Sequence, residues 1–370
     1  MKWKRMANSP AKTFASLLFL SIAVLVTATA SWADTSPNRS ERGDLPGDAP
    51  KELKRLVGEY SSAQTGDDGP DETRLTIGEA GGKLFAEGLG LHSEPLRRLD
   101  AARFSVVGSE GQSTRLDFEL DRGQRVSAVI LRGARLPLRD IGLEVMEMIR
   151  AGVNADPARL RKVALAAKPP IEPAPKREFD LLNLAAVDPT IKFDIRYASS
   201  NNFIGFALYE WPAAYLQRPV AEALGRVQRA LAPKGYGLLI HDGYRPWFVT
   251  KMFWDATPER AHVFVADPSK GSRHNRGCAV DLTLYDLKSG RTVEMTGRYD
   301  EMSRRSYADY VGGTSRQRWL RDLLRSEMEA QGFAVYPEEW WHYDYKDWGD
   351  YGIGKATFSQ LDAAQHSPSP

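Results

Sequence analysis

Two imidazoles and three carboxylates sit in two short stretches of this chain, Ser272-Arg273-His274-Asn275-Arg276-Gly277-Cys278-Ala279-Val280-Asp281 and Glu338-Glu339-Trp340-Trp341-His342-Tyr343, of which Glu338 is expected to be solvated. His274, Asp281 and His342 offer three ligands to a metal and leave a fourth position for water, and Glu339 is a base to use that water. This is the inventory of a catalytic zinc site. His274 and Asp281 are seven positions apart, so a regular strand would point them to opposite faces; Gly277 between them permits the bulge or turn that brings both to one metal. Glu339 and His342, three apart, converge either on one turn of helix or across a bend at a strand end. Trp340 and Trp341 are placed to wall the site off from water. A third stretch, His241-Asp242-Gly243-Tyr244-Arg245-Pro246, follows the apolar run Leu238-Leu239-Ile240. An arginine leaving the end of a buried strand is poised to clamp a carboxylate or a developing oxyanion.

These three stretches, in this order, resemble the D-alanyl-D-alanine dipeptidases of the VanX type, a branch of the zinc D,D-peptidases. The family pattern is S-x-H-x-x-G-x-A-x-D, then E-x-W-H or E-W-W-H, with a D-G-Y-R-P turn upstream; here it reads Ser272 to Asp281, Glu339 to His342 and Asp242 to Pro246. The resemblance extends over roughly Phe179 to Trp348, including Tyr197 to Phe203 and Arg298-Tyr299-Asp300-Glu301-Met302. It implies one Zn²⁺ on His274, Asp281 and His342, and Glu339 as general base. It implies Arg245 as the group that stabilises the anionic tetrahedral intermediate, with Asp242 orienting it. Asp300 matches a position suited to hold a substrate ammonium, with Tyr197 as a neighbouring contact; Ser272, at the head of its motif, is a further expected substrate contact. The implied activity is hydrolysis of D-alanyl-D-alanine or a similar peptidoglycan-derived dipeptide, the chirality resting on the resemblance alone. Two other readings stay open: a D,D-carboxypeptidase that trims longer stem peptides, and a zinc-containing wall-binding protein without turnover. Glu339 and Arg245 speak against the latter, since a pure binder needs neither.

The elements that must position these residues follow from periodicity. Val220, Leu224, Val227 and Leu231 predict a helix over 219–231, opened by a proline. A strand is expected over 237–241, a helix from Pro246 to 256, a strand over 279–284, a helix over 318–330, and strands over 333–336 and 341–345. Helices mixed with strands without a βαβ rhythm predict an α+β domain over 179–357, for which the family implies a small antiparallel sheet packed by helices. Upstream, residues 51–165 read as a small barrel-like β-domain, weakly similar to lipocalin-like domains. Lys83 to Glu87 follow a Gly81-Gly82 hairpin signal, and Leu116, Phe118 and Leu120 alternate with Asp117 and Glu119. A closing helix is expected over 141–150. Prolines at 169, 170, 173 and 175 mark an extended linker over 166–178, and 358–370 are expected to be a disordered tail.

Among the 370 residues, 42% are hydrophobic and 26% charged, with a formal net charge of +2. That composition is globular and gives no reason to propose a nucleic acid as partner. The single cysteine, Cys278, excludes an intrachain disulfide framework and C-x-x-C zinc sites. A thiol near His274 suggests a nucleophile, but an imidazole cannot both ligate zinc and activate it, and Cys278 is expected to be a small buried residue. His92 and His262 lie outside the motifs and are given no role; His241, just ahead of Asp242, either lines the site or packs in the core. Lys2, Lys4, Arg5 and Lys12 precede an uncharged apolar run over 14–30, the pattern of a signal peptide over 1–33 followed by a linker over 34–50. The expectation is an exported, periplasmic or cell-envelope enzyme that meets the membrane only through its transient signal peptide.

Overall fold

A computed structural model of the chain describes residues 44–63, 73–108, 111–172 and 176–366. The expected signal peptide, and the linker as far as residue 43, lie outside the described residues. Among these, no helix is long and apolar enough to cross a membrane.

A one-turn helix, α1 (Lys51–Lys54), leads into nine strands: β1 (Gly58–Ser61), β2 (Arg74–Ala80), β3 (Lys83–Gly88), β4 (Leu91–Pro95), β5 (Arg97–Arg98), β6 (Arg103–Val107), β7 (Ser113–Leu120), β8 (Val126–Leu131) and β9 (Ala134–Arg139). They form one sheet in the order β4-β3-β2-β1-β9-β8-β7-β6-β5. Each pair is antiparallel. β4 runs into β5 through Leu96, so the two edges approach and the sheet is a nearly closed barrel. Alternation decides what faces inward: Leu116 and Phe118 join Tyr60, Leu75, Ile77 and Phe104 in the barrel core.

Next come α2 (Ile141–Asn154) and α3 (Pro157–Ala166). Asp140 and Asp156 cap them, accepting from the backbone N–H of Leu143 and Arg159. The expected domain boundary at 165 does not coincide with the division between the cores. Ile141, Val145, Ile149 and Val153 form one helical stripe, and that stripe and Ala164 lie in the large C-terminal core, not in the barrel. The described part of the expected linker is tethered too: Glu172 accepts from Arg276 at 2.7 Å and from the Ile353 backbone at 2.7 Å.

The remaining elements are β10 (Leu181–Asn183), β11 (Lys192–Phe193), β12 (Tyr215–Gln217), α4 (Arg218–Leu231), β13 (Tyr236–Asp242), α5 (Trp247–Ala256), β14 (Ala279–Asp286), α6 (Ser315–Glu329), β15 (Phe333–Tyr336), β16 (Glu339–Tyr345) and α7 (Phe358–His366). A five-stranded sheet, β11-β13-β14-β16-β15, carries the site. It is mixed rather than wholly antiparallel, because β11 pairs parallel to β13 after the chain returns through α4, the crossover that a parallel pair requires. The apolar stripe predicted for α4 is buried, as are Leu320, Leu323, Leu324 and Met328 of α6. Most of the tail expected to be disordered is instead the helix α7. Phe358 is fully buried, with its ring 4.6 Å from Tyr209 and 5.2 Å from Tyr215; an aromatic anchor of this size offsets the ordering of a short helix.

Two buried carboxylates join barrel and sheet. Glu59 on β1 accepts from Thr76 and from the Tyr310 hydroxyl. Glu79 on β2 accepts from the Ser315 backbone N–H and hydroxyl, both at 3.1 Å, at the start of α6. A truncated chain beginning at Arg177 exposes the core face that α2 covers. Loss of four aliphatic side chains, at about 1.5–3 kcal/mol each, is expected to leave it unfolded or melting far below the whole protein. A chain beginning at Asp140 should melt in between. Thermal denaturation of the three proteins checks this order, and equal melting temperatures for the two truncations would contradict it.

Candidate active site

β13 is buried along its whole length and delivers Asp242 and then Gly243-Tyr244-Arg245-Pro246 to the edge of the sheet. A Cβ at Gly243 would stand 2.8 Å from the Tyr215 carbonyl oxygen, so only glycine lets the chain turn here. The Gly243 carbonyl accepts from His274 Nδ1 at 2.7 Å. His274 opens a 3₁₀ turn (His274–Arg276), and Gly277 ends it at φ 66 before β14 begins. The bend anticipated at Gly277 is therefore what brings His274 onto the face of Asp281. Asn275 pins this turn to the preceding one, donating to the Arg245 carbonyl at 2.8 Å and to Thr250 at 2.9 Å.

His342 lies on β16, directly opposite Asp281 on β14. Cross-strand partners share a face, so register alone places these two side chains together. Glu339 begins β16 beside a register shift at Val335/Tyr336; of the two geometries considered, the bend at a strand end holds. Its Oε2 stands 3.7 Å from His342 Nδ1.

Three ligand atoms converge. His274 Nε2 is 3.2 Å from Asp281 Oδ1 and 3.1 Å from His342 Nδ1, which is itself 3.1 Å from Asp281 Oδ1. Bonds of about 2.0–2.1 Å in a tetrahedral arrangement require separations of roughly 3.3 Å, so the triangle has the size of a metal centre. The opposite ring nitrogens fix both tautomers. His274 Nδ1–H donates to Gly243, and His342 Nε2–H donates to Asp344 Oδ1 at 2.9 Å, leaving lone pairs on the two inward nitrogens. Burial raises the Asp281 carboxyl, but the two imidazoles more than reverse this and hold it well below the carboxylate range. Burial likewise disfavours the His342 cation, yet Asp344 and Asp281 lift its pKa to about 10. The pocket demands positive charge.

Around the triangle lies a cleft of about 80 Å³, lined by Arg245, Asp300, Tyr197, Ser272, Glu339 and Trp341 among others. Arg245 is buried, its Nε 2.9 Å and Nη2 2.8 Å from Asp242 Oδ2, and its Nη2 3.5 Å from Asp281 Oδ2. Its guanidinium carbon stacks 4.7 Å from the Phe253 ring centre and 5.3 Å from that of Tyr197. Asp242 is held on its other oxygen by the Tyr209 hydroxyl at 2.7 Å. Asp300, at φ 60, accepts from the Tyr197 hydroxyl at 2.8 Å. Burial, with Asp281 and Asp300 adding to it, pushes Glu339 up to about 8 against His342 and Arg245. Ser272 lines the cleft, but its hydroxyl oxygen accepts from the His274 backbone at 3.1 Å. Of the two tryptophans expected to exclude water, Trp341 lines the cleft, while Trp340 is buried outside its lining.

Two residues of the constellation escaped the sequence reading. Asp344 is two positions beyond His342 on one strand, hence on the same face; the H-x-D spacing was an available signal. Tyr299, whose hydroxyl donates to Asp281 Oδ2 at 3.0 Å, stands in a stretch that carries the resemblance but was given no role, since only the fold brings it to Asp281. Cys278 is a fully buried packing residue whose thiol burial pushes up to about 12. His241 is buried against Tyr299, with ring centres 4.4 Å apart, and burial drives its pKa down to about 4.

The comparison with known proteins agrees with this geometry. Residues 177–360 match the family model described as D-ala-D-ala dipeptidase, peptidase M15. The chain is 32% identical over 180 residues to a D-alanyl-D-alanine dipeptidase of Escherichia coli strain K12, covering 49% of this chain and 92% of that protein. It is 36% identical over 178 residues to one from Enterococcus faecium, covering 42% and 87%, and 36% identical over 175 residues to one from Streptomyces coelicolor, with the same shares. With a ligand triangle of metal-site dimensions in the matched region and nearly the whole length of these relatives covered, the chain belongs to the peptidase M15 family of D-ala-D-ala dipeptidases, a family of metal-dependent hydrolases.

Proposed function

We propose that this chain hydrolyses D-alanyl-D-alanine, or a closely similar peptidoglycan-derived D,D-dipeptide, with one Zn²⁺ held by His274, Asp281 and His342. Two imidazoles and one carboxylate at this spacing suit zinc. When bound there, the ion acts as a Lewis acid and lowers the pKa of a water from about 15.7 to about 7.

The chain's own residues divide the remaining work. Glu339 takes the proton of the attacking water and delivers it to the leaving amine. Arg245, pre-aimed by Asp242 and shielded by Phe253 and Tyr197, offers fixed positive charge to the tetrahedral oxyanion; in a buried cleft that charge is worth far more than in water. Tyr299, Asp344 and the Gly243 carbonyl hold the three ligands in orientation. Ser272 retains its hydroxyl hydrogen to donate to the substrate.

One observation carries the choice of a dipeptide over a longer chain. Asp300 Oδ2 is buried without a hydrogen-bond partner, on a residue lining the cleft. A substrate α-ammonium supplies the donors and charge that this oxygen lacks. Burial, reinforced by Asp281, pushes Asp300 up to about 7 against the Tyr197 hydrogen bond, and an ammonium beside it favours the charged form. A carboxypeptidase would need that side open to a longer chain. The basic residues before position 14 and the apolar run over 14–30 support export, which would place the enzyme where peptidoglycan fragments occur.

Three outcomes are expected. His342→Ala should lose zinc on purification, because two protein ligands hold it poorly; metal analysis at full occupancy would exclude His342 as a ligand. Glu339→Gln should keep zinc but lose kcat by about 10²–10⁴-fold, measured as release of free D-alanine at saturating dipeptide. Asp300→Asn should raise KM for the free dipeptide by the roughly 10–150-fold that corresponds to about 1.5–3 kcal/mol for a charged hydrogen bond. It should change kcat/KM for the N-acetylated dipeptide little. Wild-type enzyme that cleaves both substrates equally well would favour the carboxypeptidase.

A further inference from the structure

The turn that carries Asp300 is gripped by a helix outside the region matched to the family, which begins at residue 177. Arg298 to Glu301 form a four-residue turn. The Glu301 N–H donates to the Arg298 carbonyl at 3.3 Å, and the Arg298 N–H donates to the Glu301 carboxylate at 2.8 Å. Asp300, the third residue, stands at φ 60. A positive φ there calls for glycine or asparagine, and another residue persists in it only where its surroundings fix the backbone. The surroundings here include α2.

Three contacts run from α2 and its cap to the segments around Asp300. Asp140, the cap, accepts from both terminal nitrogens of Arg298 on its two carboxylate oxygens, from Nη1 at 3.0 Å. Gly142, the second helical residue, lies against the buried Glu301. A Cβ at Gly142 would overlap Glu301 Cγ and stand 3.0 Å from Cδ, so this close approach requires glycine in a helix, where it is otherwise a poor choice. Further along, Arg150 Nη2 donates to the Asn202 carbonyl. The Asn202 amide donates in turn to the carbonyls of Ser199 at 2.7 Å and Arg196 at 3.3 Å, on either side of Tyr197, whose hydroxyl donates to Asp300. The grips are unequal. The Arg298 and Asp140 side chains are 53% and 38% exposed, and an exposed ion pair holds little; the buried contact of Gly142 with Glu301 is the firmer one. Asp140 alone separates α2 from β9, so the barrel sets where the helix starts.

Taking Asp300 as the ammonium site proposed above, we infer that α2 is a positioning element for substrate recognition. Asp140 and Gly142 hold the Arg298–Glu301 turn, and through it the Asp300 carboxylate, in the place that a substrate ammonium requires. A segment outside the matched region thereby tunes the preference for a free dipeptide.

The test is steady-state kinetics of the whole zinc-loaded protein on free and N-acetylated dipeptide. Gly142→Ala forces Glu301 to move and is expected to raise KM for the free dipeptide about tenfold. Its kcat, and kcat/KM for the acetylated dipeptide, should change by less than about twofold. Asp140→Asn keeps the helix cap and hence the melting temperature, and loosens only the exposed pair, so KM should rise about threefold. In the Asp300→Asn background neither substitution should raise KM further, because the charge being positioned is gone. Equal losses on both substrates, an unchanged KM in both variants, or full additivity with Asp300→Asn overturns the inference and leaves α2 a stabilising element alone. An unchanged KM in Asp300→Asn by itself overturns the ammonium reading, and this inference with it, before either α2 variant is measured.

Discussion

Three lone-pair-bearing atoms meeting within 3.2 Å of one another is the constraint on which the catalytic half of this protein depends. Without a proton or a cation among them such atoms repel, so something must force them together. Register does so for Asp281 and His342, which sit opposite on adjacent strands. The left-handed Gly277 does so for His274. Hydrogen bonds on the far side of each ligand, from Tyr299 to Asp281 and from the two imidazoles to Gly243 and Asp344, remove the freedom to swing away. The site is preorganised by backbone as much as by side chains, which is why it is built at the ends of the inner strands of a buried sheet and not on a surface loop.

Legibility followed the range of the interactions involved. The motif residues could be read because each motif is local: H-x-x-G-x-A-x-D contains its own turn, and E-W-W-H its own bend. Strands over β7, β8, β13 and β14 followed from period-two burial or a continuous apolar run. The parallel pairing of β11 could not be read, because two residues, Lys192–Phe193, carry no periodicity and their partner is chosen by the crossover. The same holds for α2. Its stripe at 141, 145, 149 and 153 announces a helix that must bury one face, but a stripe does not name its partner, and adjacency in sequence pointed to the barrel when packing pointed elsewhere. Phe358 makes the same point in the tail, where one large ring outweighs a polar, proline-ended composition.

Barrel and sheet are held by groups that are costly to expose once buried. Glu59 and Glu79 are 5% and 2% exposed, and each finds its donors across the junction, at Tyr310 and at the first turn of α6. A buried carboxylate stripped of its donors is a far larger penalty than a lost surface contact. The segment on the receiving side also reaches a cavity at the barrel: Asp300 to Met302 line the cleft, while Arg304, Tyr307, Asp309, Tyr310 and Val311 line the cavity. Within this segment, the Ala308 N–H donates to the Pro337 carbonyl, in the turn that leads to Glu339.

The charge inventory of the cleft bears on substrate selection. Asp281, Asp300, Glu301 and Glu339 line the cleft with the guanidinium groups of Arg245 and Arg273, and burial first, with neighbouring carboxylates adding to it, pushes Glu339 and Asp300 up to about 8 and about 7. A divalent ion at the triangle relieves Asp281 and Glu339. It relieves Asp300 less, because that carboxylate is held apart by Tyr197 and Tyr299. On the proposed reading, the positive charge beside Asp300 arrives with the substrate. A free dipeptide brings an ammonium along with its carboxylate. An N-acylated or longer peptide brings the carboxylate alone and adds to the imbalance. On this argument discrimination in favour of the free dipeptide is electrostatic before it is steric, and it would persist in a cleft somewhat larger than this one.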